Sequence, residues 1–400
     1  MITAITVRNL LSFGPETPEL HLKRLNVLIG PNGSGKSNLI EILGLLHQAP
    51  FKIRHPISAG GGIAAWIWKG GNGADKRSGA NRSRIGHVEV VVSPEYSKPL
   101  RYKIELRQPS RAIGQMEIAS ESLETAEPYE TYTTPYIYYE ANGARALINP
   151  KGEAAPRKLQ TEEIDLAESI LSQRKDPERY PEITYIGKHF DGMRFYRDWS
   201  TGINAEPRRV QAPGAQGDYL EEDTSNLSLV INRLLADVDA REKLITNLRD
   251  FYPGAKEVTT LIQEGAVSLQ LLEEGGFTTP GARLSDGTLR WLCLLAVLLN
   301  PQQHSVVAIE EPELGLHPDI MRTLAKLLRE ASKRAQVFVT THSEALVDAL
   351  SDEPESVIVC EKPGSETELR RLCKDELSCW LEKYSLGELW RNGEIGGSRW

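Results

Sequence analysis

The stretch GPNGSGKS has the residue types and spacing of a phosphate-binding loop. It fits G-x-x-x-x-G-K-[ST], with Gly30, Gly35, Lys36 and Ser37 at the fixed positions. Glycines let backbone N–H groups approach oxygens that any Cβ would crowd, and a following helix points its positive end at the anion. In this pattern the lysine reaches the β- and γ-phosphates and the serine hydroxyl ligates Mg²⁺. The spacing therefore predicts a site for a nucleoside triphosphate.

A pair of carboxylates, Glu310 and Glu311, lies within a second motif, SVVAIEEPELGLHP. The apolar run Val306 to Ile309 predicts a buried strand, so both carboxylates emerge at the strand end where open α/β sheets bind ligands. Two carboxylates facing a triphosphate repel it unless a metal ion lies between. We therefore expect one to hold Mg²⁺ and the other to orient water or act as a general base. The alternative is a solvated acidic turn.

A third motif, LSDGTLRW, places Ser285, Asp286 and Gly287 just before an apolar helix. The serine hydroxyl, the glycine N–H and the helix dipole would all point toward an anion. An ordinary capped helix has the same sequence. Beside the other motifs, a second anion site is the favoured interpretation.

A single histidine, His342, follows the apolar run in VFVTTHS. Its imidazole could hydrogen-bond the γ-phosphate, although a histidine after a strand is more often structural. Its place in the chain, after the other three motifs, favours the functional interpretation.

The elements that would position these residues can be predicted from hydrophobic periodicity. Leu25 to Ile29 has strand character, and Asn38 to Leu46 reads as a short helix with an apolar face. The C-terminal part alternates strand and helix, at Val306 to Ile309, His317 to Ser332, Val337 to Thr341, Ser343 to Leu350 and Val357 to Cys360. Such alternation implies a mostly parallel α/β sheet.

The rest of the chain divides by composition. Strands dominate before residue 150, including a hairpin predicted to turn at Asn142-Gly143. Between residues 151 and 253 we expect charged helical pieces, at Thr161 to Arg174, Asn226 to Val238 and Ala240 to Phe251. No heptad pattern is sustained there, so a long coiled-coil arm is not expected.

Composition excludes several classes of protein. The 400 residues carry a formal net charge of -8, so any contact with nucleic acid must come from a local basic patch. The longest apolar run, Trp291 to Leu299, is too short to span a bilayer, and the N-terminus has no secretory pattern. The four cysteines form no C-x-x-C pair and have no zinc spacing. We expect a reduced, cytoplasmic protein with no membrane partner.

Taken in order, these motifs resemble the ATPase head of the ABC superfamily. More closely, the chain is similar to RecF/SMC-like ATPases of bacteria, relatives of the ATPases in the OLD, Septu and PARIS anti-phage systems. The opening ITAITVRNLLSF, the blocks EEPELGLHP and TTHS and the tail LGELWRNGEIGGSRW carry the resemblance. It is good over residues 1–50 and 280–400. It implies an α/β ATPase head, with an N-terminal β region and a mostly parallel phosphate-loop sheet, over residues 1–150 and 254–400. Residues 151–253 would form a helical insertion lobe.

The resemblance also implies roles for single residues, with ATP and Mg²⁺ as cofactors. Glu310 and Ser37 would bind the metal. Glu311 would be the hydrolytic glutamate and His342 the switch histidine. Lys36 would be the third catalytic residue. Glu310 stands where aspartate is usual and is one methylene longer. The loop residues expected to bind nucleotide are Asn32, Gly33, Ser34, Gly35, Lys36, Ser37 and Asn38. No glutamine can be assigned to the Q-loop of this superfamily; Gln108 and Gln115 are the candidates.

In this superfamily the signature motif, here Ser285 and Gly287, contacts nucleotide bound by a second protomer. The resemblance thus implies an ATP-clamped homodimer or larger homo-oligomer. No nuclease motif follows His342, so we expect a separately encoded effector, a nuclease or toxin in anti-phage defence. The alternative is a RecF-like repair ATPase that binds DNA directly through the basic, aromatic-rich stretch Lys188 to Arg209 or the basic run Lys76 to Arg84. The missing glutamine after LSDGT argues against a transporter subunit.

Overall fold

Three β-sheets organise the chain in the computed structural model. It describes residues 1–70, 85–95, 97–109, 115–130, 133–143, 145–153, 155–165, 167–302 and 304–397. With strands numbered along the chain, the largest sheet has eight strands in the order β2-β1-β4-β5-β6-β7-β8-β9, and all neighbours are antiparallel. The strands are β1 (Ile2–Arg8), β2 (Leu20–His21), β4 (Gly86–Val92), β5 (Leu100–Arg107), β6 (Glu117–Thr125), β7 (Ile137–Asn142), β8 (Arg145–Ile148) and β9 (Arg157–Leu159).

The hairpin predicted at Asn142-Gly143 is confirmed within this sheet. Asn142 pairs with Arg145 at the end of β7 and β8. Gly143 has a φ of 56°, the left-handed conformation that a tight hairpin turn requires. In β4 and β5 buried residues alternate with partly exposed ones, as expected for a sheet with one packed face.

A six-stranded sheet lies at the centre, in the order β10-β14-β15-β3-β16-β17. Its strands are β3 (Leu25–Ile29), β10 (Met193–Tyr196), β14 (Val306–Glu310), β15 (Gln336–Thr340), β16 (Val357–Glu361) and β17 (Glu368–Arg371). All pairs are parallel except β16 with β17. The predicted mostly parallel sheet is therefore confirmed. Because β3, β10, β14, β15 and β16 run the same way, their carboxyl ends meet at one edge.

Alternate residues of the central strands enter two different hydrophobic cores. In β14, Val306 and Ala308 pack with the eight-stranded sheet, whereas Val307 and Ile309 pack on the opposite face. This period of two explains why the strand is apolar at every position. Twelve helices in the described residues cover the sheets: α1 (Lys36–Gln48), α2 (Arg54–Ala59), α3 (Ile63–Trp66), α4 (Ile170–Gln173), α5 (Pro181–Asp191), α6 (Leu227–Ala236), α7 (Val238–Phe251), α8 (Asp286–Leu298), α9 (Met321–Ser332), α10 (Glu344–Asp348), α11 (Lys374–Leu381) and α12 (Leu386–Arg391). Of these, none is long and apolar enough to cross a membrane.

The third sheet is a small antiparallel unit of β11 (Ala255–Gln263), β12 (Ala266–Glu273) and β13 (Thr278–Pro280). Buried residues of β11 and β12 share a core with α6, α7 and α8. Trp291 of α8 is fully buried there and stacks on Phe251 at the end of α7, with ring centroids 5.6 Å apart. The unit leads directly into the helix that begins with the LSDGT motif.

The segment 151–253 is not wholly helical. β9 adds to the eight-stranded sheet, and β10 forms the edge of the central sheet beside β14. The helix expected over Thr161–Arg174 is interrupted as well, because the Asp165 carboxylate accepts the N–H of Ala167 and Ser169 caps the short helix α4. Such side-chain bonds compete with helical ones. The division into a head and an insertion lobe stays a prediction.

Candidate nucleotide-binding site

The glycine loop joins β3 to α1 and can be built only from glycine at key points. Gly30, Gly33 and Gly35 have φ values of 147°, 78° and 105°. A Cβ on Gly30 would lie 2.1 Å from the Cys360 carbonyl oxygen, and one on Gly35 would lie 2.2 Å from Thr367 Oγ1. No side chain caps the start of α1 and its first turn has no acidic residue. The N-terminal end of α1 is therefore suited to an anion.

Lys36 lies folded over this loop. Its Nζ donates to the carbonyl oxygens of Gly30 at 2.8 Å and Pro31 at 3.1 Å. Burial lowers the pKa of Lys36, and the carboxylates of Glu311, Glu313 and Glu310 oppose that shift. The ammonium group of Lys36 is therefore held against the loop by two carbonyl oxygens.

One further polar group fits a phosphate ligand. Among the residues that the structure describes, none supplies a hydrogen-bond partner for the buried hydroxyl of Ser34. A buried hydroxyl without a partner is costly, and a phosphate oxygen would satisfy it. Asn32 and Gly33 are exposed beside it. The predicted phosphate-binding residues thus lie together in one loop.

Asn38 belongs to a hydrogen-bonded group of side chains that supports the loop. Its side-chain amide donates to Ser12 Oγ at 2.6 Å, and Thr367 Oγ1 donates to the same oxygen at 2.7 Å. Thr367 Oγ1 also lies 2.8 Å from the Ser34 carbonyl oxygen. The SF pair of the N-terminal motif therefore acts through Ser12 to hold the loop, a role that the sequence did not indicate.

The two residues predicted to hold magnesium are in contact. Ser37 Oγ donates to Glu310 Oε2 at 2.7 Å, although 273 positions separate them in the chain. The parallel register brings them together, because β14 ends at the same edge as β3. A hydroxyl and a carboxylate are hard oxygen donors of the kind that Mg²⁺ prefers. The residues present therefore fit that ion.

Glu311 and His342 form the next pair along the same edge. Glu311 Oε1 lies 3.8 Å from His342 Nε2, and about two fifths of each side chain is exposed, at 39% and 37%. Glu311 has a φ of 46°, which is strained for a residue with a side chain. Its N–H donates to the Thr340 carbonyl oxygen at 2.9 Å. The backbone thus holds Glu311 in a fixed, uncommon conformation with its carboxylate accessible.

Glu313 is a site residue that the sequence analysis missed. Its Oε1 accepts from Thr341 Oγ1 and from the backbone N–H of His342, both at 2.7 Å. Burial raises the pKa of this carboxyl. Within the described part of the chain, its second oxygen, Oε2, is buried without a partner. Its position as the third carboxylate in EEPE could have indicated this role.

Two more missed residues, Arg197 and Trp199, follow β10 and contact Glu310. Arg197 Nε lies 3.4 Å from Glu310 Oε1, and Trp199 Nε1 donates to the Glu310 carbonyl oxygen at 3.3 Å. Gln108 and Gln115, the glutamines considered for a Q-loop, instead flank β5 and β6 of the eight-stranded sheet. The sequence could not reveal β10, because a four-residue run containing an arginine has no clear period.

The LSDGT motif caps α8. Ser285 Oγ accepts the N–H of Thr288 at 3.1 Å, and both Ser285 and Asp286 are exposed. Gly287 is close to the loop after Glu311, since a Cβ on it would lie 3.0 Å from the Gly315 carbonyl oxygen. The cap geometry agrees with the simple interpretation of the motif. Contact with nucleotide on a second protomer stays a prediction.

The basic and aromatic stretch Lys188 to Arg209 packs into the body of the protein. Its four rings are buried: Phe190, Phe195, Tyr196 and Trp199. The side chain of Arg208 is 8% exposed, pairs with Asp286 and donates to the Leu284 carbonyl oxygen at 2.7 Å. The aromatic rings of this stretch therefore belong to the protein interior and do not form an exposed surface. The other basic run, Lys76 to Arg84, lies outside the described residues.

Comparison with known proteins gives one family match that covers most of the chain. The model of the family described as "AAA domain, putative AbiEii toxin, Type IV TA system" matches residues 25–348. A curated relative, ABC transporter A family member 4 of Arabidopsis thaliana, is 30% identical over 96 residues. That match covers 24% of this chain, which spans about a tenth (10%) of the length of the relative.

Solved SMC heads share the fold. An SmcHead bound to the C-winged helix domain of ScpA aligns over 94% of this chain and 99% of its own, with a TM-score of 0.53 and 13% identity. The Smc head domain with an extended coiled coil bound to the C-terminal domain of ScpA, from Pyrococcus furiosus, aligns over 96% and 98%, with a TM-score of 0.54 and 13% identity. At these identities the likeness establishes the fold alone.

Proposed function

The chain belongs to the AAA-domain family of the AbiEii, type IV toxin–antitoxin description, with the fold of an SMC head, and on that basis we propose a Mg²⁺-dependent ATP hydrolase. In our proposal the chain closes into a nucleotide-sandwich dimer or a larger homo-oligomer. Hydrolysis then controls a separately encoded effector, a nuclease or toxin in anti-phage defence.

The observation that best supports hydrolysis is the bond between Ser37 and Glu310. It joins the phosphate loop to the acidic strand end, so both motifs act on one bound nucleotide. The acidic strand end alone could be a solvated turn, but a solvated turn has no reason to meet the glycine loop at 2.7 Å. Mg²⁺ held by these two oxygens would neutralise charge on the phosphates.

The protein's own residues then have separate tasks. Lys36 and the loop N–H groups would bind and orient the phosphates. Glu311 would accept a proton from the attacking water, because its carboxylate is 39% exposed and lies beside the His342 ring, 3.8 Å from Nε2. Glu313 would hold the His342 backbone so that the imidazole stays beside Glu311.

Dimerisation is supported by the exposure of Ser285 and Asp286 at the positive end of α8. An exposed anion-binding helix end on the same body as a phosphate loop fits a head-to-tail pair, in which each copy completes the other's site. The named ScpA complexes of SMC heads and the toxin–antitoxin description of the family favour a protein partner. The DNA-binding alternative has lost its main support, since the aromatic rings of its proposed surface are buried.

Phosphate release from the purified protein tests this proposal, compared with Lys36→Ala and Glu311→Gln. We expect the wild-type rate to depend on Mg²⁺ and to fall by about a hundredfold or more in both variants. Glu311→Gln should still bind ATP, whereas Lys36→Ala should bind it weakly. Equal rates in all three proteins would mean a contaminant or a dead site. Mass spectrometry of what co-purifies with the Glu311→Gln variant would identify the effector.

A further inference from the structure

Arg197 lies next to Glu310 because of the register between two parallel strands. β10 and β14 pair with Tyr196 opposite Ile309, so the residues that follow on the two strands are neighbours. Arg197 Nε is 3.4 Å from Glu310 Oε1. We propose that Arg197 is a positioning residue, which fixes the Glu310 carboxylate so that its other oxygen faces Ser37 and the metal. This inference rests on the proposed function.

The two oxygens of Glu310 are divided between two partners. Oε2 accepts from Ser37 Oγ at 2.7 Å, and Oε1 faces the guanidinium of Arg197. A glutamate carboxylate turns about three side-chain bonds, one more than an aspartate. When Arg197 holds Oε1, the carboxylate loses most of that rotational freedom, and Oε2 stays directed at Ser37. Arg197 would thus compensate for the extra methylene at this position.

Arg197 contacts α1 as well as Glu310. Its Nη2 donates to the carbonyl oxygen of Ile40 in α1 at 3.0 Å. Gly44, one turn further along α1, leaves room for the guanidinium, since a Cβ there would lie 3.0 Å from Nη2. The arginine therefore bridges the helix that follows the phosphate loop and the strand that carries the acidic pair.

The backbone of Glu310 is held by the same segment. Trp199, two residues after Arg197, donates through Nε1 to the Glu310 carbonyl oxygen at 3.3 Å. A second carboxylate, Glu41 on α1, is also near Arg197: burial raises the pKa of Glu41, Arg197 lowers it and Glu310 raises it. The charge of Arg197 therefore offsets the repulsion between these two acidic groups.

The expected consequence is a specific loss of magnesium affinity. Groups that orient a metal ligand without touching the metal typically contribute about 10- to 100-fold in affinity. Replacing Arg197 should leave the phosphate loop and Lys36 intact. Nucleotide binding without metal should therefore not change, while the Mg²⁺ concentration needed for full binding should rise.

The test is a Mg²⁺ titration of fluorescent ATP-analogue binding to the full chain, for wild type, Arg197→Gln and Arg197→Lys. We expect the Mg²⁺ midpoint to rise about tenfold in Arg197→Gln and less in Arg197→Lys, which keeps the charge but not the planar fork. Binding in EDTA should be equal in all three. Arg194→Gln is the matched control, because Arg194 lies three residues earlier, on β10, and packs over the Tyr219 ring. Its midpoint should equal that of wild type.

The remaining outcomes separate this inference from the proposed function. In a Glu310→Gln background, Arg197→Gln should add no further shift, since the carboxylate that it positions is gone. Unchanged midpoints in both Arg197 variants, with a wild type that responds to Mg²⁺, would overturn the inference. A wild type that binds no nucleotide would overturn the proposed function instead. Circular dichroism would show whether Arg197→Gln folds. If it does not, Arg197→Lys alone tests the inference, because its Mg²⁺ midpoint must still exceed that of wild type.

Discussion

Arg290 Nη2 donates a 2.7 Å hydrogen bond to the carbonyl oxygen of Glu311. Arg290 lies on α8, which begins at the exposed Ser285, and it is largely buried against the Trp199 ring. The helix that carries the LSDGT motif therefore holds the strained backbone of the glutamate expected to activate water. A displacement of α8 by a second protomer would move Glu311 directly.

Removing the Arg290 bond should slow hydrolysis without weakening nucleotide binding. In Arg290→Met we expect turnover to fall about tenfold, equivalent to about 1.4 kcal/mol in the barrier, because Glu311 loses its backbone support. The measurement is steady-state phosphate release together with ATP-analogue affinity. Arg241→Met is the control, since Arg241 is half exposed and pairs with Glu257 at the surface. A variant with normal turnover would show that Glu311 is positioned without Arg290.

Glu313 should make stability depend on pH. Burial raises the pKa of Glu313 in the folded state above its value in the unfolded chain. The folded state then keeps a proton that the unfolded state has lost, so stability falls as pH rises from the ordinary glutamate value through the raised one. Glu313→Gln has no such group, and the Tm of wild type relative to this variant should fall over that interval.

Thermal unfolding of both proteins from about pH 4 to about pH 8 tests this linkage. Glu344→Gln, a substitution of an exposed glutamate, is the control and should track wild type at every pH. Parallel curves for wild type and Glu313→Gln would mean that Glu313 does not retain its proton in the folded protein.

The sequence predicted the central strands well because their patterns are local. Leu25–Ile29 begins and ends as expected, β14 and β16 each extend one residue beyond the predicted end, and β15 is displaced by one residue at both ends. Each is a mostly apolar run, and β3, β14 and β15 lead into a glycine, an acidic pair and a histidine, respectively. The clustering of the candidate site residues was also predictable, since the carboxyl ends of parallel strands meet at one edge of the sheet.

The supporting residues could not be predicted because their partners are distant in sequence. Arg197 contacts Glu310 only through the pairing of β10 with β14, and Ser12 reaches the loop through Thr367, 355 positions away. Neither contact is reflected in the hydrophobic periodicity or in the motif spacing of the sequence. The place of Glu313 in EEPE could have indicated a site residue, but only the fold shows that its carboxylate accepts the backbone N–H of His342.

Gly35→Ala should destabilise the protein more than Gly33→Ala. Both glycines have positive φ values, so each alanine costs about 1 kcal/mol or more in backbone strain. At Gly35 the Cβ would also meet Thr367 Oγ1, at 2.2 Å, whereas none of the residues that the structure describes lies within 4 Å of a Cβ on Gly33. We therefore expect a lower Tm for Gly35→Ala than for Gly33→Ala. Thr367→Ser should restore only part of the difference, because it removes Cγ2, 2.7 Å from that Cβ, but keeps Oγ1. Equal Tm values for the two alanine variants would contradict the steric account.

The signature corner should be required for assembly but not for nucleotide binding. Glu311→Gln, which binds ATP without turnover, should change from monomer to dimer or larger in light scattering when Mg²⁺ and ATP are added. Adding Ser285→Arg places a bulky cation at the exposed cap of α8, which should block contact with a second protomer's nucleotide while each chain still binds its own. Losing the serine cap itself costs only about 1 kcal/mol, so the fold should survive. Val238→Arg is the matched control, because Val238 is 80% exposed at the start of α7, and it should still assemble. If Ser285→Arg assembles as well as Val238→Arg, ATP does not join two copies through the LSDGT corner, even though the phosphate loop binds it.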